Sequence, residues 1–207
     1  MPATKIDFKR ELREFYTPGR EPELVDVPKL QFAMIDGHGD PNVSPEYRDA
    51  VQAVYAVAYA ARFALKRAPD GLDYGVMPLE GLWWVPDMAA FTIEDKSAWN
   101  WTAMIMQPEQ VSAEAFRAAR AAAAKKKPLL DALRRVRLER FAEGPAAQML
   151  YRGAYADEGP MIRRLHAFIA QQGYERAGKH HEIYLSDPRR TAPEKLKTII
   201  RQPIAAA

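Results

Sequence analysis

The chain has 207 residues, of which 48% are apolar and 28% are charged, with a net charge of +3; this balance excludes a chain that is disordered over most of its length. Cysteine is absent, which excludes disulfides, thiolate metal sites and a cysteine nucleophile. No run reaches the roughly 18 apolar residues of a membrane span, and the N-terminal residues lack the apolar core of a signal peptide, so the sequence predicts a soluble cytoplasmic protein with no membrane partner.

The first elements of the chain are a polar arm and a short strand. Residues 1–28 are predicted to form an N-terminal arm with a helical segment at about Asp7–Phe15, followed by several prolines. The apolar run Leu30–Ile35 then predicts a strand, which Gly37 and the residues after it close.

A long helix and a strand region complete the first half. Ser44 as N-cap and Pro45 in the first turn predict the start of a helix that runs to about Lys66. Residues 74–87, with the sequence YGVMPLEGLWWVPD, are predicted to form two short strands hinged at Pro78–Gly81.

The middle of the chain is less regular and more basic. It predicts a strand at Trp99–Gln107, an alanine-rich helix from Ser112 to about Lys127, and a strand at 136–141. Its basic residues lie at Lys125–Lys127 and at Arg134, Arg135, Arg137 and Arg140. Because no groove-reading element is visible beside them, we interpret this cluster as a solvated face and expect no direct nucleic-acid binding.

The pattern of the first half returns after Gly144. A strand at 145–152 precedes a helix at Pro160–Gln172, and two strands follow within 180–187 and 195–204. The order strand–helix–strand–strand therefore occurs twice, which predicts an α+β fold of two pseudo-symmetric half-domains. Ligand sites often lie where such halves meet.

The predicted boundaries follow from this repeat. Behind the arm, residues 29–207 form one domain, with a first half at about 29–86 and a second half at about 144–207. Residues 87–143 are then an insertion between the two halves.

Glu182 is unusual because it interrupts a stretch that otherwise predicts a packed strand. Side chains alternate across a strand, so Glu182 shares a face with His180 and Tyr184, whereas Ile183 lies on the other face. Antiparallel sheets commonly have one wet face, so simple exposure to solvent is one interpretation. The other is that this face lines a cleft.

Large aromatic residues favour a cleft, although such residues are more often part of a core. Rings around one carboxylate suit a flat ligand, apolar or cationic, through stacking, cation–π contact and one countercharge. Trp99 and Trp101 share a strand face, whereas Trp83 and Trp84 point to opposite faces. The candidate ligand-binding residues are Trp83, Trp84, Trp99, Trp101 and Tyr74.

Motifs of other chemistries are not found. His180 and His181 are neighbours on a strand and point to opposite faces, so they cannot easily chelate one metal ion. The sequence has no HExxH, GxSxG or GxxxxGK[ST] pattern. We therefore expect neither a metal site nor a cofactor.

The sequence resembles the GyrI-like small-molecule-binding domains, and in particular the stand-alone branch of that superfamily. The C-terminal stretch HHEIYLSDPRRTAPEKLKTIIRQPI, residues 180–204, matches the pattern of a strand ending in E-x-Y-L, followed by D-P and then T-x-P-E-x-L. The stretches VDVPKLQFAMIDGHGDPN, at 25–42, YRDAVQAVYAVAYAARFALK, at 47–66, and YGVMPLEGLWW, at 74–84, resemble the N-terminal half.

The resemblance implies two βαββ units with antiparallel sheets, helices on one side and a ligand cleft between them. In related drug-sensing domains an acidic residue at the position of Glu182 meets cationic aromatic ligands. A similar stand-alone subfamily, the cyclopropanoid cyclopropyl hydrolases, opens the cyclopropane ring of DNA-alkylating compounds. The family name also leaves a protein partner such as a topoisomerase open, but no residue here points to a partner surface.

Two hypotheses of different class follow. In the first, the chain is a small-molecule binding protein, and Glu182 and Tyr184 face a cleft walled by tryptophans. In the second, it is a hydrolase in which Glu182 acts as general base on a water, with Tyr184 orienting that base or donating a hydrogen bond to the developing oxyanion.

Overall fold

We describe the protein from a computed structural model of the chain, in which residues 5–69, 71–92 and 95–207 are described. No helix in these ranges is long and apolar enough to cross a membrane. The helices and strands, numbered in chain order, are α1 (Phe8–Glu11), α2 (Arg13–Tyr16), β1 (Glu23–Val27), β2 (Leu30–His38), α3 (Pro45–Arg67), β3 (Leu79–Trp84), β4 (Asn100–Gln107), α4 (Ala113–Lys126), β5 (Arg137–Phe141), β6 (Gly144–Arg152), α5 (Gly159–Gln171), β7 (Tyr174–Arg176), β8 (His180–Tyr184) and β9 (Lys197–Ala206).

Two units of the form strand–helix–strand–strand meet in the middle of one antiparallel sheet. The strand order is β1-β6-β9-β8-β3-β4-β2-β5, with β7 paired to β9. The first unit is β2, α3, β3 and β4, and the second is β6, α5, β8 and β9. They join through the pairing of β3 with β8. This confirms the predicted α+β fold of two βαββ units.

The helices of the two units cover the same face of the sheet, which we call the front face because it carries the Glu182 side chain. Tyr47 of α3 contacts the ring of Trp83, and α5 packs Leu165 into a cluster with Ile200, the partner of Glu182 on β9. Between the two helices lies the part of the front face where β3 meets β8.

Local sequence explains the starts of α3 and α4. The Ser44 hydroxyl accepts a hydrogen bond from the Tyr47 N–H at 3.2 Å, as an N-cap does, and Ser112 does the same for Ala115 at 3.1 Å. In α3 the buried positions include Ala50, the first of several alanines, whose small side chains let the helix lie close to the sheet.

Two predicted elements differ from the structure. The helix at Asp7–Phe15 is two short helices, α1 and α2. Of the two strands predicted within 74–87 only β3 forms, because Pro78 has no N–H for a ladder and β3 begins after it. The strand that completes the first unit is β4, at 100–107, inside the segment 87–143 for which the sequence predicts an insertion.

The N-terminal arm crosses the back face of the sheet. Residues 1–4 of the predicted arm lie outside the described ranges. Strand β1 extends the sheet by pairing with β6, and Phe15 and Tyr16 of α2 are buried. The arm therefore covers the back face, which is the face of the sheet opposite to the one that carries the Glu182 side chain.

A buried polar network joins the arm to the back face. The Tyr16 hydroxyl donates to Glu80 at 2.7 Å, and His181 lies between Glu80 and Glu143, with nitrogen–oxygen distances of 3.0 and 2.8 Å. Arg201 reaches the other oxygen of Glu143 at 3.0 Å. All of these side chains are buried, including that of Glu143, so each charge depends on its partners for stabilisation.

This network makes folding stability depend on pH. Burial lowers the pKa of His181, but the charge of Glu143 and its hydrogen bonds to Glu143 and Glu80 raise the pKa from 6.5 to about 9. Burial raises the pKa of Glu143, but the charges of His181 and Arg201 lower it from 4.5 to about 2.

The sign of each contribution follows from linkage. His181 stabilises the fold fully below about pH 6.5, and this is lost as the pH rises through about 9. Glu143 stabilises it fully above about pH 4.5, and this is lost as the pH falls through about 2. Both contributions are complete between about pH 4.5 and pH 6.5. We therefore expect the difference in free energy of unfolding between wild type and Glu143→Gln, measured in urea, to be largest in this range. A difference that stays constant from about pH 5 to 10 would contradict the network.

Candidate functional site

The register of the central strands places Glu182 at the junction of the two units. Gly81 of β3 lies opposite Glu182 of β8, and Trp83 lies opposite His180. On its other side Trp83 pairs with Trp101 of β4. Because directly opposed residues point to the same face, the carboxylate and both indoles share the front face.

Two glycines make room for these indoles. A Cβ at Gly37 would collide with the ring of Trp101, and a Cβ at Gly81 would lie 2.8 Å from the ring of Trp83. The indoles therefore lie over strand positions where only glycine fits. Glycine inside a strand often marks such a close approach.

The indoles belong to an aromatic cluster, which we define as Tyr47, Trp83, Phe91, Trp99 and Trp101. Tyr47 lies 5.6 Å from Trp83 and 5.0 Å from Trp101 between ring centroids. Trp83 lies 5.3 Å from Trp99, and Phe91 stacks on Trp99 at 4.8 Å. α3, β3, β4 and the segment before β4 thus converge beside Glu182.

The Glu182 carboxylate is buried among hydrogen-bond donors. Only 5% of the residue is exposed. The Tyr184 hydroxyl donates to its Oε2 at 2.7 Å, and His180 Nε2 lies 3.2 Å from its Oε1. The ring of Tyr155 packs edge-on against Tyr184 at 5.5 Å. Glu182 therefore does not face bulk solvent.

A second carboxyl, that of Glu158, lies next to Glu182. Glu158 directly precedes α5 and is 2% exposed. Its carboxyl lies close enough to Glu182 for the two groups to interact, and its Oε2 is buried without a hydrogen-bond partner in the described chain. Two buried carboxylates this close cannot both be charged without a large cost, so they share a proton.

The surroundings decide which acid keeps the proton. Burial and the charge of Glu182 raise the pKa of Glu158 to about 9, although the charge of Lys96 lowers it. Burial also raises the pKa of Glu182, but the contacts with His180 and Tyr184 and the charge of Lys96 bring it below its usual value. Near neutral pH Glu182 is a base and Glu158 an acid.

Several polar atoms around the site have no partner. The indole N–H groups of Trp83 and Trp101 and the Nδ1 atom of His180 are buried, with no hydrogen bond to any described residue. A buried polar group without a partner costs about 1–3 kcal/mol. Water or a ligand at this site would satisfy these atoms.

The indoles beside Glu182 on the front face are tightly packed, and Trp83, Trp99 and Trp101 are each at most 2% exposed. In the described part of the chain, one cavity of about 510 Å³ and another of about 400 Å³ occur, and Glu182 lines neither. Within the described residues, no group of three or more His, Asp or Glu is arranged to hold a metal ion.

The structure brings together most, but not all, of the residues that the sequence singles out. Trp84 lies on the other face of β3, where the Lys179 ammonium is 3.3 Å from its ring centroid. Tyr74 packs against Phe8 of the arm, with ring centroids 6.0 Å apart. Neither is part of the aromatic cluster. The predicted residues that do lie together are Trp83, Trp99, Trp101, Glu182 and Tyr184.

Sequence reasoning missed Tyr47, Phe91, Tyr155 and Glu158 as site residues. Tyr47 belongs to a helical pattern typical of core, and Glu158 lies in an acidic turn with no motif. A signal for a close approach at this site is Gly81, a glycine within a strand two residues before Trp83.

Comparison with known proteins identifies the relatives of this chain. The sequence profile of a family described as GyrI-like small molecule binding domain matches residues 20–205. No functionally curated protein matches the sequence.

Solved structures from Listeria innocua are similar over almost the whole chain. A conserved protein described as uncharacterized is 44% identical, with a TM-score of 0.89, and the alignment covers 97% of this chain and 100% of that one. Two structures described as hydrolases are 40% and 42% identical, with TM-scores of 0.84 and 0.87. Their alignments cover 97% and 98% of this chain and 100% of each hydrolase. The C-terminal domain of EcmrR, 10% identical, shares the fold, with a TM-score of 0.56 over 90% of this chain and 98% of that domain.

Proposed function

This chain belongs to the family of GyrI-like small-molecule-binding domains, and on that basis we propose that its aromatic cluster binds a planar electrophile which Glu182 hydrolyses. The observation that carries the proposal is a buried carboxylate at the junction of two units, in contact with Tyr184 and His180 and beside packed aromatic rings. The similarity to two Listeria innocua hydrolases supports the same reaction class.

The aromatic cluster suits a flat ligand. Planar rings stack against indole and phenol faces, and each such pair contributes about 0.5–1.5 kcal/mol beyond the buried area. The ionised Glu182 adds attraction for positive charge on the ligand. Because these indoles are buried, ligand entry requires side chains such as Phe91 to turn aside.

The substrate class follows from the resemblance to cyclopropyl hydrolases: a cyclopropane conjugated to a carbonyl group. The oxygen of a water molecule attacks a ring carbon, a carbon–oxygen bond forms, and one carbon–carbon bond of the cyclopropane breaks. Glu182 takes a proton from the water, and the released electron pair moves to the carbonyl oxygen, which takes a proton from Glu158. Tyr184 positions the base, because its hydroxyl donates to Glu182. The product is the ring-opened alcohol.

Binding without chemistry is a second candidate function. It is favoured by an anion among aromatic rings, an arrangement that holds planar cations through stacking and charge. In this case the unpaired indole N–H groups would contact the ligand and no water would be activated.

One assay separates the two functions. The protein is incubated with a spiro-cyclopropane dienone, and the ring-opened alcohol is measured by chromatography against buffer. We expect faster product formation with the protein. If the ring opens no faster with the protein than in buffer, but a planar cation such as an acridinium dye binds tightly, the result would support binding alone. Failure of both would overturn the proposed function.

The carboxyl pair predicts a bell-shaped pH profile. The rate rises as Glu182 ionises and falls as Glu158 loses its proton near pH 9. We expect Glu158→Gln to be slower and to lose the alkaline fall, since an amide has no proton to give up. The matched control is Asp157→Asn, an exposed neighbour, which should keep the wild-type profile. An alkaline fall that persists in Glu158→Gln would show that another group is the acid.

A further inference from the structure

A cavity of about 510 Å³ lies next to the aromatic cluster. Four parts of the fold form it: the segment between β3 and β4, the C-terminal half of α5, the β7 strand with the turn that follows it, and Gln202 of β9. Its apolar wall includes Phe91, Ile169, Ala170 and Tyr174. A volume of this size is sufficient for part of a small organic molecule.

One aromatic ring separates this cavity from the catalytic groups. Phe91 lines the cavity and also stacks on Trp99 at 4.8 Å. The same ring lies 5.8 Å from the ring of His180, whose Nε2 contacts the Glu182 carboxylate. Rotation of Phe91 would therefore open the cavity towards Trp99 and His180, and so towards Glu182.

The cavity contains a buried hydrogen-bond donor without a partner. Arg176 Nη1 lies 3.3 Å from Nδ1 of His166. Because a guanidinium group always donates, Nδ1 accepts and the ring proton of neutral His166 is on Nε2. Burial, together with the charge of Arg176, lowers the pKa of His166 to about 4, which keeps the ring neutral. The Nε2 atom is buried and contacts no acceptor in the described chain.

We propose that this cavity is a subsite for the tail of an elongated ligand whose planar head occupies the aromatic cluster. The apolar wall holds the tail, and His166 Nε2 donates a hydrogen bond to a carbonyl oxygen on it. This inference rests on the proposed function, because the head must bind beside Glu182. It specifies the substrate class further: the ligand has a planar head, an apolar spacer and a hydrogen-bond acceptor at the end of that spacer.

Three acridinium dyes with one head test the subsite by fluorescence titration: N-methyl, N-hexyl and N-(5-oxohexyl)acridinium. The two long chains are matched, and only the second carries a ketone oxygen. We expect wild type to bind the oxohexyl dye about tenfold more tightly than the hexyl dye, as for one hydrogen bond to a buried donor. His166→Phe should abolish that ratio, and His38→Phe, a change at an exposed histidine, should keep it.

A second pair of variants tests the position of the tail. Ala170 lines the cavity, and Ala167 is exposed on the same helix outside it. Ala170→Phe should weaken both long-chain dyes while N-methylacridinium binds as before, and Ala167→Phe should change none of the three.

The outcomes separate the two proposals. Equal binding of the hexyl and oxohexyl dyes by wild type, or a ratio that survives His166→Phe, would overturn the subsite alone. If wild type binds no dye, or if Glu182→Gln binds N-methylacridinium as tightly as wild type, the head site itself is overturned.

Discussion

Glu182→Gln is expected to slow hydrolysis by about 10²–10⁴-fold, the range that a positioned general base typically contributes. Glutamine has nearly the same shape and can still contact Tyr184 and His180, but it cannot take a proton from water. The loss should appear in kcat, because the base acts in the chemical step and not in holding the aromatic rings. Product formation under saturating substrate measures it.

Two controls make this result specific. Glu194→Gln, at an exposed glutamate of the same C-terminal region, should leave kcat unchanged. An uncharged planar compound should bind Glu182→Gln about as tightly as wild type, because the aromatic cluster is intact. A variant with full activity would remove Glu182 from the mechanism.

Arg201→Met is expected to lower the free energy of unfolding by about 3–5 kcal/mol, the typical cost of removing one partner of a buried ion pair. Arg201 is 2% exposed and donates to Gln148 at 2.9 Å and to the Phe15 carbonyl, in addition to its contact with Glu143. The variant therefore removes the positive charge that Arg201 places beside the buried Glu143 carboxylate. It also removes the hydrogen bond that holds the arm at Phe15. Urea denaturation followed by circular dichroism measures the loss.

A surface pair provides the comparison. Arg189 pairs with Asp187, but its side chain is 87% exposed, so Arg189→Met should leave the unfolding midpoint unchanged. The double variant Arg201→Met with Glu143→Gln should lose less free energy of unfolding than the two single variants lose together, because it contains no unpaired buried carboxylate at position 143. Purely additive losses would show that the two residues do not interact.

Periodicity along the chain predicts the elements and their repeated order, whereas the antiparallel sheets with helices on one side are what the family resemblance implies. The helical spacing after Ser44 and the repeated strand–helix–strand–strand order depend on neighbouring residues only, so sequence carries them directly. Alternation along one strand also predicts that Glu182 shares a face of the sheet with His180 and Tyr184. The same alternation places Trp83 on the front face once the pairing of β3 with β8 is given.

The rest depends on contacts between distant parts of the chain. Glu158 meets Glu182 only because α5 begins over the junction of the two units, and Tyr47 reaches the indoles from the start of α3. Tyr74 lies close to the tryptophans in sequence, but β3 begins after it and leads away, so Tyr74 packs against the arm. Strand pairing, which no local pattern specifies, decides these cases.

The most direct test of the site is a crystal structure of Glu182→Gln with the intact cyclopropane compound. We expect the planar ring system to lie against Trp83 and Trp99, with the reacting carbon about 3–3.5 Å from a water bound to the side chain at position 182. A compound bound outside the aromatic cluster, or one whose cyclopropane points away from position 182, would contradict the account.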